Sequence, residues 1–400
     1  MTRKVRIAFE GCCHSELDKI YNSIRKLEIP IDLLIIGGDF QAVRNYRDLK
    51  CMAVPEKYLR LGDFADYYSG KKLAPVLTIF VGGNHEASNY LWELYHGGWV
   101  APNIYYAGAA NVLDFAGIRI GLVSGTWSEA HYNWGHHERV PYYRGAERSA
   151  YHIRQYDIQR LYNANSSTTS KPVDIMVSHD WPQGIEKYGD LNALLTRKPF
   201  FKADIDNEDL GSPPNMLLLR HLKPQYWISA HLHVKYTAIY KHDTEISEAA
   251  PGFQETRFLA LDKCLPRRQF LQVLEFQTSL ESDLFSLKYD PDWLAVIRAT
   301  NSNMPLDRDT KSLYSTPEER NKVVASIADE REWIEKNLCS MDKLYIPLNF
   351  ELTAPIADHS DAKNIRNLPS PLAYNNNQTA AFCKLLQIEN KIFRPDLSES

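Results

Sequence analysis

A chain of 400 residues, 44% hydrophobic and 24% charged, has the composition of a globular protein with a large core and excludes the disordered and fibrous classes. Its formal net charge of -4 means that a polyanionic ligand must be held by local basic or metal centres, because the overall field does not attract it. The longest apolar runs, LLII and VLTIFV, fall far short of the roughly 20 residues a bilayer span needs. The opening MTRKVRIAFEG is interrupted by Arg6 and Glu10, which makes a poor signal peptide. Six scattered cysteines, with only Cys12 and Cys13 adjacent, fit an intracellular protein with reduced thiols.

The first 240 residues alternate β-type apolar runs with helical stretches, which predicts an α/β domain. VRIAF, DLLII, VLTIFV, IRIGLVS, VDIMVS and QYWISA are the expected strands. Between the first two, SELDKIYNSIRKLEI reads as a helix with Ser15 as N-cap, Leu17, Ile20, Ile24 and Leu27 on one face, and Pro30 as its stop. NYLWELYH and AYHIRQYDIQRLYN are further helices. Beyond residue 240, TRFLAL and QFLQVLEF read as strands flanking the basic turn DKCLPRR. Helices follow in DPDWLAVIRATNSN, in TPEERNKVVASIADEREWIEKNL opened by Thr316 and Pro317, and near AAFCKLL. There is no internal repeat.

Five strand-like runs lead into residues of metal-binding type. VRIAFEG leads into Cys12 and His14, DLLIIGG into Asp39, LTIFVGG into Asn84 and His85, DIMVS into His179, and YWISA into His231 and His233. In an open α/β sheet, ligands collect beyond the carboxyl ends of the strands, so five such ends can meet in one crevice. Taken singly, a histidine after a strand is more often a structural residue, and Gly-Asp is ordinary turn chemistry. Convergence is the signal, strengthened by His231-Leu232-His233, whose imidazoles fall on one side of a strand of period two.

The spacing resembles the metallophosphoesterase signature: D-x-H, G-D, G-N-H-[ED], a strand-end H, and G-H-x-H. Cys12-Cys13-His14, Gly38-Asp39, Gly83-Asn84-His85-Glu86, His179 and His231-Leu232-His233 occupy those places, with Cys12 replacing the first aspartate and Ala230 the last glycine. With GDFQAVRN, GGNHEASN, GGWVAPNIYY, SHDWP, SAHLHVK and TRFLALDKCLPRRQFLQVLE, the chain resembles the RNA lariat debranching enzymes over about residues 5–298. Ser15 stands where that family usually has glycine. The resemblance implies a metallophosphoesterase-type β-sandwich flanked by helices and a mainly helical C-terminal domain. The expected division is a catalytic domain over 1–240, a C-terminal domain over 241–390 and a flexible tail over 391–400.

By the same resemblance, Cys12, His14 and His233 would hold one metal ion, Asn84, His179 and His231 another, and Asp39 would bridge the two. Paired divalent ions activate a water and brace phosphodiester hydrolysis. His85 would protonate the leaving ribose oxygen; its alternative role is to orient Asn84. Asp180 would hydrogen-bond a ligand imidazole or serve structure alone. A thiolate favours thiophilic ions over magnesium, so iron, zinc or manganese are the expected cofactors, and an exposed Cys12 thiolate would be open to oxidation. Cys13, on the opposite face of the strand end, reads as a buried, inert thiol.

The segment 125–154 is rich in aromatic, histidine and arginine residues, a mixture suited to stacking bases and contacting phosphates. The resemblance makes it a lariat-recognition loop, with Tyr142, Tyr143, Arg148, Tyr151, His152 and Arg154 as candidate RNA contacts; loop packing is the alternative for each. The implied substrate is the 2′,5′-phosphodiester of branched intron lariat RNA, with no membrane and no obligate protein partner. A nuclear location follows from where lariats are made. Two other readings stay open: another two-metal phosphodiesterase or nuclease, and a metal-free binding module of the same fold. A phosphoprotein phosphatase would carry Asp-Arg-Gly where this chain has GDFQAVRN.

Overall fold

Strand β1 (Arg3–Glu10) shows how the chain layers itself. Its odd-numbered Val5, Ile7 and Phe9 enter one apolar cluster, while Ala8 enters a second on the other side. A strand buried on both faces needs a layer on each, and period-two alternation supplies both. The protein, seen here in a computed structural model, is described for residues 3–165, 171–243, 252–278, 286–309, 312–363 and 365–393.

The further strands are β2 (Leu33–Ile36), β3 (Thr78–Phe80), β4 (Gly98–Ala101), β5 (Ile104–Tyr106), β6 (Ala110–Phe115) and β7 (Ile118–Val123). They continue with β8 (Ile175–Ser178), β9 (Tyr226–Ser229), β10 (Tyr236–Lys241), β11 (Glu255–Ala260), β12 (Leu271–Thr278) and β13 (Leu287–Tyr289). They form a six-stranded sheet ordered β12-β1-β2-β3-β5-β4 and a seven-stranded sheet ordered β10-β11-β9-β8-β7-β6-β13. Val5, Ile7, Leu33, Ile35 and Ile79 of the first sheet share a core with Ile120, Leu122, Ile175, Val177 and Ile228 of the second. On the outer face of the first sheet, Leu34, Ile36 and Phe80 pack with Leu17, Ile20 and Ile24 of the helix Leu17–Arg25.

Pairing is parallel through β1-β2-β3-β5 and through β7-β8-β9-β11. The carboxyl ends of β1, β2 and β3 therefore lie along one edge of their sheet, and those of β8 and β9 along one edge of the other. This is an α/β metallophosphoesterase-type sandwich with helices outside. Beyond it, helix Pro291–Thr300 packs against helix Pro317–Asn337, whose Thr316 and Glu319 form a reciprocal capping box.

The sheets run on past the expected division at 240: β11 is hydrogen-bonded between β9 and β10, and β12 pairs with β1. The first helix departs from expectation at both ends. It begins at Leu17 after an N-cap Glu16 that makes no side-chain cap, so Ser15 does not cap it. The helix also ends at Arg25, ahead of Pro30, leaving Leu27 outside it and exposed. Within the expected tail, Ile392 is buried and its carbonyl accepts the Trp92 indole N–H, whereas residues 394–400 lie outside the described residues. No described helix is long and apolar enough to cross a membrane.

Candidate active site

The turns that follow the strands are held in backbone conformations that side-chain-bearing residues rarely adopt. His14, Asp39, His231 and His233 have φ of 46°, 48°, 62° and 50°. Each such residue costs about 1–3 kcal/mol unless the surroundings over-determine it, and such strain clusters at functional sites. Backbone bonds fix the turns to one another: His14 N–H donates to Asp39 O at 2.7 Å and Cys13 N–H to Gly38 O at 3.2 Å. Glycine is required at two points of close approach. A Cβ on Gly83 would stand 2.3 Å from Asp39 Oδ1, and one on Gly38 (φ 120°) would stand 2.2 Å from His179 Nδ1.

Two clusters result, with Asp39 between them. In the first, one donor atom each from Cys12, His14, Asp39 and His233 lie within 4.8 Å of one another, and His14 Nε2 faces His233 Nε2 at 3.1 Å. In the second, the proton of His179 is assigned by chemistry: Nδ1 lies 2.7 Å from the carbonyl of Gly37, which can only accept. His179 Nε2 is therefore an acceptor, and it faces Asn84 Oδ1 at 3.3 Å and Asp39 Oδ1 at 3.4 Å. The His231 ring stands 5.0 Å from that of His179. Asp39 Oδ2 turns the other way, 3.6 Å from His14 Nε2.

Three lone-pair-bearing atoms facing each other repel unless a cation lies among them, so the donor set fits divalent metal ions. The charges agree. Burial alone would raise the Asp39 carboxyl, but the surrounding imidazoles of His179, His14, His85 and His231 outweigh it and hold it well below the usual range. Burial pushes the imidazoles of His179 and His233 down to about 4 and about 3, keeping them neutral as metal ligands must be.

Cys12 is completely buried, and its Sγ accepts the His231 N–H at 3.2 Å. Burial, then the charges of Asp39 and Glu10, push its thiol well up. This corrects the expectation of an exposed, oxidisable thiolate, because solvent does not reach the sulfur. Cys13 is likewise buried, in the outer core, and all six cysteines are free. His85 is half-buried at the mouth, with its ring edge-on to His14 at 5.4 Å and its backbone N–H on Asp39 Oδ1 at 3.0 Å. Ser15 (φ 64°) donates its hydroxyl to Gln41 Oε1 at 2.8 Å, tying the first turn to the second. Ala230 is buried, its methyl directly over Gly37.

Glu86, quoted in the motif without a role, accepts backbone N–H groups from Phe40 (2.8 Å), Gln41 (2.7 Å) and Gly83 (2.9 Å). It locks the second turn to the third, and burial followed by the Asp39 charge pushes its carboxyl up to about 7. Its signal was the acid one residue past the histidine in GGNHE. Asp180 accepts the backbone N–H of Trp127 at 3.0 Å and of Trp181 at 2.9 Å, which is the structural alternative.

The loop at 125–154 is rooted in the metal turns, with Gly125 N–H donating to Gly82 O at 2.8 Å. Tyr143 and Arg148 are exposed; Tyr142, Tyr151 and His152 are half-buried, and His152 Nδ1 lies 2.6 Å from His131 Nδ1. Arg154 is fully buried, ion-paired to Glu138 at 2.7 Å and bound to Ser149 O at 2.8 Å. A guanidinium spent on an internal carboxylate cannot reach a phosphate, so Arg154 is corrected from RNA contact to loop framework. The C-terminal region supports the loop from outside: Gly135 N–H donates to Asp307 O, His136 N–H to Pro305 O, and Arg308 Nε to His137 Nε2 at 3.1 Å.

Paired strand ends bearing this donor set define a metal-dependent phosphoesterase, and the calcineurin-like phosphoesterase family profile matches residues 5–235. The profile of the lariat debranching enzyme C-terminal domain matches residues 253–391. Lariat debranching enzymes of Arabidopsis thaliana, Danio rerio and Homo sapiens are 44%, 46% and 45% identical to the chain. Each alignment covers 96% of this chain and, respectively, 86%, 66% and 69% of the relative. The chain belongs to the lariat debranching enzyme family and is a metal-dependent phosphodiesterase.

Proposed function

We propose that the crevice hydrolyses the 2′,5′-phosphodiester at the branchpoint of excised intron lariat RNA, the linkage on which its family acts. The arrangement of Asp39 carries the mechanism: its carboxylate belongs to the cluster of Cys12, His14 and His233, with Oδ2 toward His14, while Oδ1 faces His179, whose Nε2 also meets Asn84. Cys12, His14 and His233 would hold one cation, Asn84, His179 and His231 the other, with Asp39 shared. When bound, two divalent cations supply a water of lowered pKa and offset the charge on the phosphate oxygens.

The chain's own residues do the rest. The left-handed turns and the Glu86 clamp hold the donors in place before substrate arrives, so little reorganisation is left for the reaction. His85, half-buried beside His14, would give its ring proton to the departing 2′-oxygen, a contribution of roughly 10² to 10⁴ in rate. The Cys12 sulfur favours iron or zinc in its half of the site, while manganese suits either half. Tyr142, Tyr151 and His152, which share a pocket with Gly82 and Gly83 of the third metal turn, and the exposed Tyr143 and Arg148 would contact the RNA strand, and the protein would act in the nucleus, where lariats form.

Protein loaded with iron, zinc or manganese should cut a branched 2′,5′ RNA and spare its linear 3′,5′ arms. Equal cutting of both linkages would refute the specificity. Elemental analysis finding a single ion per active chain would refute the paired site. A fluorescent fusion excluded from nuclei would refute the location.

A further inference from the structure

The basic turn DKCLPRR lies in the C-terminal family segment, yet it returns to the catalytic crevice. Lys263 pairs through its backbone with Cys12, and Cys264 N–H donates to Cys12 O at 3.2 Å. Lys263 is half-buried, and among the described residues no hydrogen bond or ion pair engages its ammonium. The neighbouring carboxylate is already committed: Asp262 Oδ1 accepts the Lys263 backbone N–H at 2.8 Å, and Oδ2 takes Arg268 Nη1 at 3.2 Å. The backbone bridge to Cys12 sets Lys263 beside the cysteine half of the crevice. Arg268 takes the second oxygen of Asp262, so among the described residues the Lys263 ammonium is left as an uncompensated cation next to Cys12, in a chain whose net charge is negative. Such a local excess marks an anion path.

A branch nucleotide differs from every other in RNA by carrying phosphodiesters on adjacent ribose oxygens. We propose that Lys263 binds the uncut 3′-phosphodiester of the branch nucleotide while the metal donors engage the 2′-linked one. This rests on the debranching activity proposed above. It gives the C-terminal segment a direct part in recognising the branch.

The test compares a branched trinucleotide with a 2′,5′-linked dinucleotide that lacks the 3′-phosphodiester. Wild-type protein should show a KM about ten-fold lower for the trinucleotide, the size of one charged hydrogen bond. Lys263→Ala should abolish that preference, with the loss falling on KM more than on kcat, and should flatten the salt dependence of log KM by about 0.7, the single-strand value for one phosphate contact. Lys263→Arg should keep the preference. An equal loss on both substrates, a loss of bound metal, or an unchanged preference in Lys263→Ala would overturn the assignment. Wild-type protein that cuts neither substrate would strike the debranching reading instead.

Discussion

The metal crevice and the loop at 125–154 are neighbours joined by the hydrogen bond from Gly125 to Gly82, but they are held in different ways. In the crevice, backbone does the work: strand ends deliver the donors, left-handed turns aim them, and glycines let the turns touch. In the loop, side chains carry more: the buried pair Arg154–Glu138 ties its middle to its C-terminal end, while backbone bonds to Asp307 and Pro305 and the side chain of Arg308 hold it from outside. A backbone-built site is rigid and intolerant of shape change, which suits metal ligation. A side-chain-built loop can vary its surface while its frame persists, which suits contact with an RNA strand.

The largest expected effect separates chemistry from framework within the crevice. His85→Ala should lower kcat on branched RNA by roughly 10²- to 10⁴-fold with metal content unchanged. A metal-depleted variant would show instead that His85 is a ligand.

The loop should break thermodynamically rather than chemically. Arg154→Ala leaves Glu138 buried and unpaired and should cost about 3–5 kcal/mol of stability, read by denaturant titration. The pair also sets an acid limit. Burial would raise the Glu138 carboxyl, but Arg154, Ser149, His137 and His136 outweigh it and hold it below its ordinary 4.5. A carboxyl with a depressed native pKa contributes stability that is present above 4.5 and lost as pH falls through the lower native value. Acid titration of wild-type protein should therefore loosen the loop in that window, and Arg154→Ala should flatten the dependence.

Exchanging Cys12 for Asp should leave the fold intact and shift the metal balance. Retention of zinc or iron should fall about ten-fold or more relative to manganese, measured by competition with a chelator. An unchanged preference would remove sulfur as the source of selectivity.

Ser15→Gly should have the smallest effect. Glycine relieves a left-handed residue, worth about 1–2 kcal/mol, but loses the hydrogen bond to Gln41, worth about 0.5–1.5 kcal/mol, so the midpoint should scarcely move. A large loss would show that the Gln41 contact carries more than one hydrogen bond.

The crevice was largely legible in the linear text because each donor follows its own strand within a few residues, and strands of period two announce themselves. Cys12, His14, Asp39, Asn84, His179, His231 and His233 each follow a strand in the sequence, but nothing in their spacing reveals the left-handed backbone that aims four of them. The Ser15 cap was misread because capping chemistry and a strained turn use the same residue type, and only the path of the chain past Gln41 distinguishes them. The Arg154 contact was misread because an arginine looks the same whether a carboxylate or solvent lies in front of it.

Sequence by itself determined the donor types, eight of the thirteen described strands and the family, because these depend on local periodicity and on motifs a few residues long. Tertiary structure alone decided which groups are spent on one another and which remain free: Arg154 closed against Glu138, Glu86 clamping three amides, Lys263 beside Cys12 despite 250 intervening residues. Burial and reach set those fates, and both belong to the folded chain.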